Sequence, residues 1–219
     1  MAYQHSLDGE TLGLPVGKVV CVGRNYAEHA KELNNPVPTS PILFIKPATA
    51  IVPFTGEILI PKEQGSCHHE LEMSVLIGKT LTNATEQEVK DAILGFGLGL
   101  DLTLRDLQSK LKAKSHPWEI AKSFDGACPL SGFVPASVVT DPMDMPLQLS
   151  VNGAVRQQGT TADMITPLYS LISYMSRHFT LQPGDVVMTG TPAGVAALQE
   201  GDQLEATLGD VLSCAARVV

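Results

Sequence analysis

The chain of 219 residues carries 15 Lys plus Arg against 23 Asp plus Glu, a net charge of −8, with 44% hydrophobic residues, 19 glycines and 15 prolines. That length can bury a sizeable core without disulfides, the charge repels nucleic acid and anionic membrane surfaces, and the glycine and proline content favours a β-rich fold with many turns. No apolar run is long enough to span a bilayer and no basic-then-apolar leader opens the sequence, so the expectation is a cytoplasmic protein whose four scattered cysteines, Cys21, Cys67, Cys128 and Cys214, are reduced structural thiols.

In chain order, 18–22 reads as a short apolar strand, and Gly23-Arg24 leads into Asn25, which with Glu28 three residues on predicts a capping box. The short helix so opened ends near Leu33, where Asn34-Asn35-Pro36 offers a left-handed cap and then a residue that cannot continue it. Short and mostly polar, it is expected to act as a lid. Residues 42–45 form a strand before Lys46-Pro47, and another strand runs from about His68 to Ile77. Thr85 and Glu88 predict a second capping box, for a helix that stops at Gly95. The apolar run 96–100 is a buried strand that delivers Asp101 at its end, 103–112 is helical, and 116–135 is loop. Leu147, Leu149 and Val151 alternate up to Asn152-Gly153, the strongest short hairpin signal in the chain. Met164, Leu168, Leu171, Ile172, Met175 and Phe179 recur at helical spacing, which predicts an amphipathic helix over 163–179. The tail returns to strands, with turns at Pro183-Gly184, Glu200-Gly201 and Gly209-Asp210. No repeat or linker divides the chain, so it reads as one domain.

The segment His68-His69-Glu70-Leu71-Glu72-Met73 carries the most chemistry. Side chains alternate on a strand, so His68, Glu70 and Glu72 share a face, with successive same-face Cα atoms roughly 6–7 Å apart. Two such glutamates either lie on a solvated face or place one oxygen each on a cation. Asp101, at the end of a buried glycine-rich run, either caps the helix that follows or joins them. Three carboxylates without a soft ligand suit a hard ion such as Mg2+ or Mn2+. The run GFGLGL is not a dinucleotide fingerprint, because it leads to an acidic residue and its glycines fall at packing positions. His29 and Glu32, three apart on one helical face, form either a surface pair or a general base with its orienting carboxylate. Lys46, Arg105 and Lys122 stand where elements meet turns and are candidates for anion binding. The segment 188–195, MTGTPAGV, is either an anion cradle of backbone N–H groups and hydroxyls or a tight turn.

The segments KVVCVGRNYAEHAKEL, PILFIKP, GSCHHELEMSVLIGK, GLDLTLRDLQ, PWEIAKSFDGACPLSGF and GDVVMTGTPAGV, in this order over about 18–195, resemble the fumarylacetoacetate hydrolase family in its short branch of acylpyruvate hydrolases and oxaloacetate decarboxylases. The resemblance implies an α+β, β-rich fold: a mixed β-roll or barrel-like sandwich with flanking helices, spanning 17–219 behind an N-terminal extension of 1–16 and assembled as a homodimer. It implies Mg2+ or Mn2+ on Glu70, Glu72 and Asp101, with Lys122 as a substrate-contacting base. Arg24, Tyr26, Lys46, Arg105 and Gln108 fall among the substrate-binding residues, Thr191 marks a carboxylate site, and His29 with Glu32 activates water from a mobile segment. The activity it implies first is hydrolysis of a C–C bond in acylpyruvate-type 2,4-diketo acids, with decarboxylation of oxaloacetate beside it. The alternative is isomerisation or keto–enol tautomerisation of oxaloacetate-like acids, which uses the same metal site and differs in who delivers a proton or water.

Overall fold

The computed structural model describes residues 3–219. An eight-stranded mixed sheet forms its backbone. Seven strands lie on one path: β1 (Val19–Gly23), β2 (Ile42–Lys46), β3 (Ile51–Pro53), β4 (Leu71–Ile77), β5 (Ile93–Leu100), β6 (Cys128–Leu130) and β7 (Val186–Met188), in the spatial order β2-β1-β7-β4-β5-β6-β3. The β1–β7 and β3–β6 pairs are parallel and the other neighbours antiparallel. A second, five-stranded sheet runs Ala154–Thr160, Pro146–Val151, Gln203–Leu208, Leu212–Val218 and Gly56–Ile58. Val75, Phe96 and Leu98 of the first sheet share one core with Leu147, Leu149, Leu204 and Ala206 of the second, closing the barrel-like sandwich expected from the sequence. A buried strand needs apolar residues on both faces, and β4 is buried along its whole length.

Among the described residues five α-helices flank the sheets: α1 (Ala27–Glu32), α2 (Glu86–Ala92), α3 (Arg105–Ala113), α4 (Glu119–Lys122) and α5 (Leu168–His178). The Thr85–Glu88 capping box forms in both directions and opens α2, but this helix ends at Ala92, where Ile93 turns extended to enter β5 rather than at Gly95. The Asn25 box does not form. The N-cap is Tyr26 without a side-chain bond, and the Asn25 amide instead donates to the Thr189 carbonyl at 2.9 Å and the Thr166 carbonyl at 3.1 Å while accepting from the Thr166 N–H. Helix α5 starts at Leu168 and not at 163, because Pro167 holds the extended entry to it. The expected loop 116–135 contains α4 and β6, and Thr103–Leu104 is a short strand ahead of α3. The Asn152-Gly153 turn is left-handed at both residues, with φ of 53° and 75°, as a two-residue hairpin requires.

The glycines of β5 are packing positions. A Cβ on Gly99 would lie 2.7 Å from Met188 Sδ, and one on Gly97 would lie 2.9 Å from the Phe133 ring and from Ser74 Oγ. All four cysteines are free. Burial above all pushes the Cys67 thiol up to about 11, with Lys46 opposing, which disfavours the thiolate.

Candidate active site

The three carboxylates converge through strand register. Glu70 sits in the break between the strand Cys67–His69 and β4, Glu72 is the second residue of β4, and Asp101 follows β5, which pairs Leu100 with Leu71. Asp101 therefore caps no helix; its N–H donates to the Glu70 carbonyl at 2.9 Å. One oxygen from each of Glu70, Glu72 and Asp101 lies within 4.8 Å of the others, and all three residues are buried. Burial opposes ionisation of Glu70, but Lys122, Arg105 and His29 outweigh it and hold its pKa below the usual carboxylate range. Glu72 forms no ion pair among the described residues, and Lys122 acts on it only weakly from a distance. Burial, Asp101 and Glu70 push its pKa up, and the Gly190 N–H, donating at 2.6 Å, offsets only part of this. A buried oxygen cluster that drives one member toward protonation is relieved by a hard divalent cation, so the donor set fits Mg2+ or Mn2+. Asp101 Oδ1 makes no hydrogen bond, although Lys46 Nζ stands 2.8 Å away as an ion pair without hydrogen-bond alignment.

Two lysines anchor this cluster in different ways. Lys122, at the end of α4, donates to Glu70 Oε2 at 3.0 Å, Asp101 Oδ2 at 2.5 Å and Thr103 Oγ1 at 2.7 Å. Burial lowers its pKa, yet Asp101 and Glu70 more than reverse that, so these hydrogen bonds are made by a charged ammonium. Lys46 is completely buried, and its ammonium donates to the carbonyls of Leu102, Ala127 and Lys122. It lies behind Asp101 and does not line the cavity, which corrects the expectation that it meets an anionic substrate.

The cavity over the cluster has an empty volume of ≈ 440 Å³, counting its open mouth, and is lined by Glu70, Glu72, Arg24, His29, Arg105, Gln108, Lys112, Lys122 and Thr191 with Phe44 and Trp118. Arg105 donates from Nη1 to Gln108 Oε1 at 2.8 Å and pairs through Nη2 with Glu70. Thr191 Oγ1 donates to the Leu71 carbonyl at 2.7 Å and accepts from Gln157 Nε2 at 2.7 Å. The fully buried Gln157, which the sequence reading missed, also accepts from the Leu71 N–H and binds His69 Nδ1. Arg24 reaches the cavity from a left-handed backbone position, φ 61°, unusual for a side chain that is not glycine.

Helix α1 brings His29 into the cavity, with Nδ1 3.5 Å from Glu32 Oε2, longer than a hydrogen bond. Glu32 accepts the Gly194 N–H on both oxygens at 3.1 Å, which ties the candidate lid to the 188–195 segment. Tyr26 is buried, its hydroxyl has no hydrogen-bond partner, and it stays outside the cavity lining. Half-buried His68 is also outside it. Lys112 and Asn35, joined by a 3.0 Å hydrogen bond, are cavity residues that were not anticipated. A signal existed: Arg105, Gln108 and Lys112 fall at i, i+3 and i+7 of one helix and so share a face.

A β sandwich with a buried carboxylate triad beside a short helix that carries His29 defines a class, and residues 18–219 match the model described as fumarylacetoacetate (FAA) hydrolase C-terminal. The chain belongs to the fumarylacetoacetate hydrolase family. It is similar to oxaloacetate tautomerase YcgM of Escherichia coli, 57% identical over 208 residues, which cover 94% of this chain and 95% of that one. A mitochondrial oxaloacetate tautomerase of Bos taurus is 44% identical over 195 residues, covering 89% and 88%. A mitochondrial oxaloacetate decarboxylase of Dictyostelium discoideum is 43% identical over 189 residues, covering 86% and 87%. Among solved structures, a fumarylacetoacetate isomerase/hydrolase-like protein of Oleispira antarctica superposes with a TM-score of 0.96 at 55% identity, covering 99% and 100%. The fumarylpyruvate hydrolase of Pseudomonas aeruginosa, in complex with Mn2+ and pyruvate, gives 0.93 at 37%, covering 100% and 96%. Among the described residues, no helix is long and apolar enough to cross a membrane.

Proposed function

We propose that this chain is a Mg2+- or Mn2+-dependent enzyme that interconverts the enol and keto forms of oxaloacetate. The observation that carries this reading is the buried triad of Glu70, Glu72 and Asp101, two of whose members, Glu70 and Glu72, line one cavity with His29 and Lys122, in a chain 57% identical to an oxaloacetate tautomerase over 94% of its length. The order expected from sequence is thereby reversed. Acylpyruvate hydrolysis becomes the second reading, supported by the likeness to a fumarylpyruvate hydrolase at the lower identity of 37%.

Tautomerisation breaks a C–H bond at C3 and forms an O–H bond at the C2 oxygen, so it needs an acid and a base but no water. A bound divalent ion supplies Lewis acidity at the 2-keto oxygen. Burial, the largest influence on His29, lowers its pKa, which keeps the imidazole neutral and able to take the C3 proton or return it. The Lys122 ammonium is the charged donor beside the cluster and offsets negative charge that develops on the substrate oxygen. Arg105, braced by Gln108 and Glu70, orients a substrate carboxylate. Glu32 ties α1 to Gly194 and so holds His29 over the cavity. The reading includes a single catalytic domain working as a cytoplasmic homodimer.

The deciding assay follows the loss of enol oxaloacetate by ultraviolet absorbance and pyruvate by a coupled enzyme, with Mg2+, beside cleavage of acetylpyruvate and fumarylpyruvate. The expected result is rapid enol–keto equilibration with little pyruvate and little cleavage. Cleavage of either acylpyruvate outpacing tautomerisation would hand the assignment to the hydrolase reading, and pyruvate formed as fast as the enol disappears would make it a decarboxylase.

A further inference from the structure

The cations around the cavity divide into two sets. Arg105 and Lys122 are neutralised by Glu70 and Asp101. Arg24 and Lys112 are not: among the described residues neither has a carboxylate partner, and the Lys112 ammonium has only the neutral Asn35 amide oxygen, at 3.0 Å. Both side chains are half-buried in a chain whose net charge is −8, where free carboxylates to pair with are plentiful. Two like charges kept together at one cavity wall cost free energy unless an anion joins them. Lys112 registers that cost. Burial lowers its pKa first, and Arg24, Arg105 and Lys122 lower it further, so these four cations act on one region.

We infer that Lys112, with Arg24 beside it, forms a subsite for the second carboxylate of a dicarboxylic 2-keto acid, whose first carboxylate and keto oxygen lie at the Glu70, Glu72 and Asp101 end. The inference deepens the proposed function by naming a selector for dicarboxylates, and it rests on that reading only for the identity of the acid. Lys112 is well placed for the task. It lies on the Arg105–Gln108 face of α3, and its bond to Asn35 links that helix to the segment just after α1. A substrate carboxylate accepting from Lys112 thus also meets the lid side of the cavity. An acyl chain without a terminal charge would leave both half-buried cations without a carboxylate partner, which disfavours it.

Calorimetric titration of the Mg2+-loaded protein with three probes tests this for wild type, Lys112→Met and Lys112→Arg. Oxalate needs only the metal end, pyruvate is a 2-keto acid with one carboxylate, and difluoro-oxaloacetate keeps the second carboxylate but has no C3 proton to lose. Lys112→Met should weaken difluoro-oxaloacetate by ~10-fold or more and change oxalate and pyruvate by about twofold or less, while Lys112→Arg retains most of the affinity. Equal weakening of all three probes, or of none, overturns the subsite. Because difluoro-oxaloacetate cannot enolise, the binding readout does not depend on tautomerisation, and the absence of released CO2 during the titration confirms that the ligand stays intact. Tight, Lys112-dependent binding in a protein that fails to tautomerise oxaloacetate would remove the proposed reaction and keep the subsite.

Discussion

The main-chain N–H of Asp101 donates to the carbonyl of Glu70 at 2.9 Å, so two of the three clustered carboxylates are held in register by backbone as well as by their side-chain contacts to Lys122. Their geometry should therefore survive loss of a single charge. Asp101→Asn and Glu70→Gln are expected to fold and to bind Mn2+ at least ~100-fold more weakly than wild type, since replacing a ligand should cost no less than replacing a residue that merely supports one. Calorimetry with Mn2+, beside circular dichroism to confirm folding, checks this. Unchanged affinity in both variants would detach the metal from this triad.

Lys46 makes a contrasting prediction, because its ammonium is sealed behind Asp101 and donates to three carbonyls. Lys46→Met removes a buried cation and strands its partners, a change that costs about 3 kcal/mol or more. Urea denaturation should show a lowered midpoint, and the folded fraction should still bind oxalate with Mg2+. A variant of normal stability that has lost oxalate binding would restore Lys46 to the substrate site.

How far the site was legible in sequence follows from how local its causes are. Strand alternation and a glycine-rich buried run are local patterns that singled out Glu70, Glu72 and Asp101 but fitted a solvated face and a helix cap equally, and the resemblance of the surrounding segments joined them, whereas the Thr85–Glu88 box formed because both its bonds lie within four residues. Asn25 presented the same pattern but is claimed by Thr166 and Thr189, partners that only the folded sheet brings near. Lys46 and Lys122 each look like a cation at the end of an element; what separates a sealed strut from a cavity donor is that the Lys46 ammonium directs its protons to the Leu102 and Ala127 carbonyls. Lys112 was readable in principle from its i+7 spacing to Arg105, but helix α3 had to be placed beside the cavity before that spacing meant anything.

The pH dependence of catalysis should report His29. Its surroundings are Glu32 on its own helix, Glu70 beyond the strand Cys67–His69, and Arg105 on α3. Burial lowers the imidazole pKa, Glu70 opposes it, Arg105 adds to it and Glu32 opposes it, and the net direction is down. A base whose folded pKa is depressed is neutral and competent above that pKa and is lost as pH falls through it. The acid limb of kcat/KM for oxaloacetate tautomerisation should therefore have its midpoint below the ordinary histidine value of ~6.5. His29→Ala should remove that limb and slow the reaction on the order of 10²–10⁴-fold while Mn2+ affinity is retained. An acid limb that persists unchanged in His29→Ala would assign the titration, and with it the proton transfer at C3, to another group.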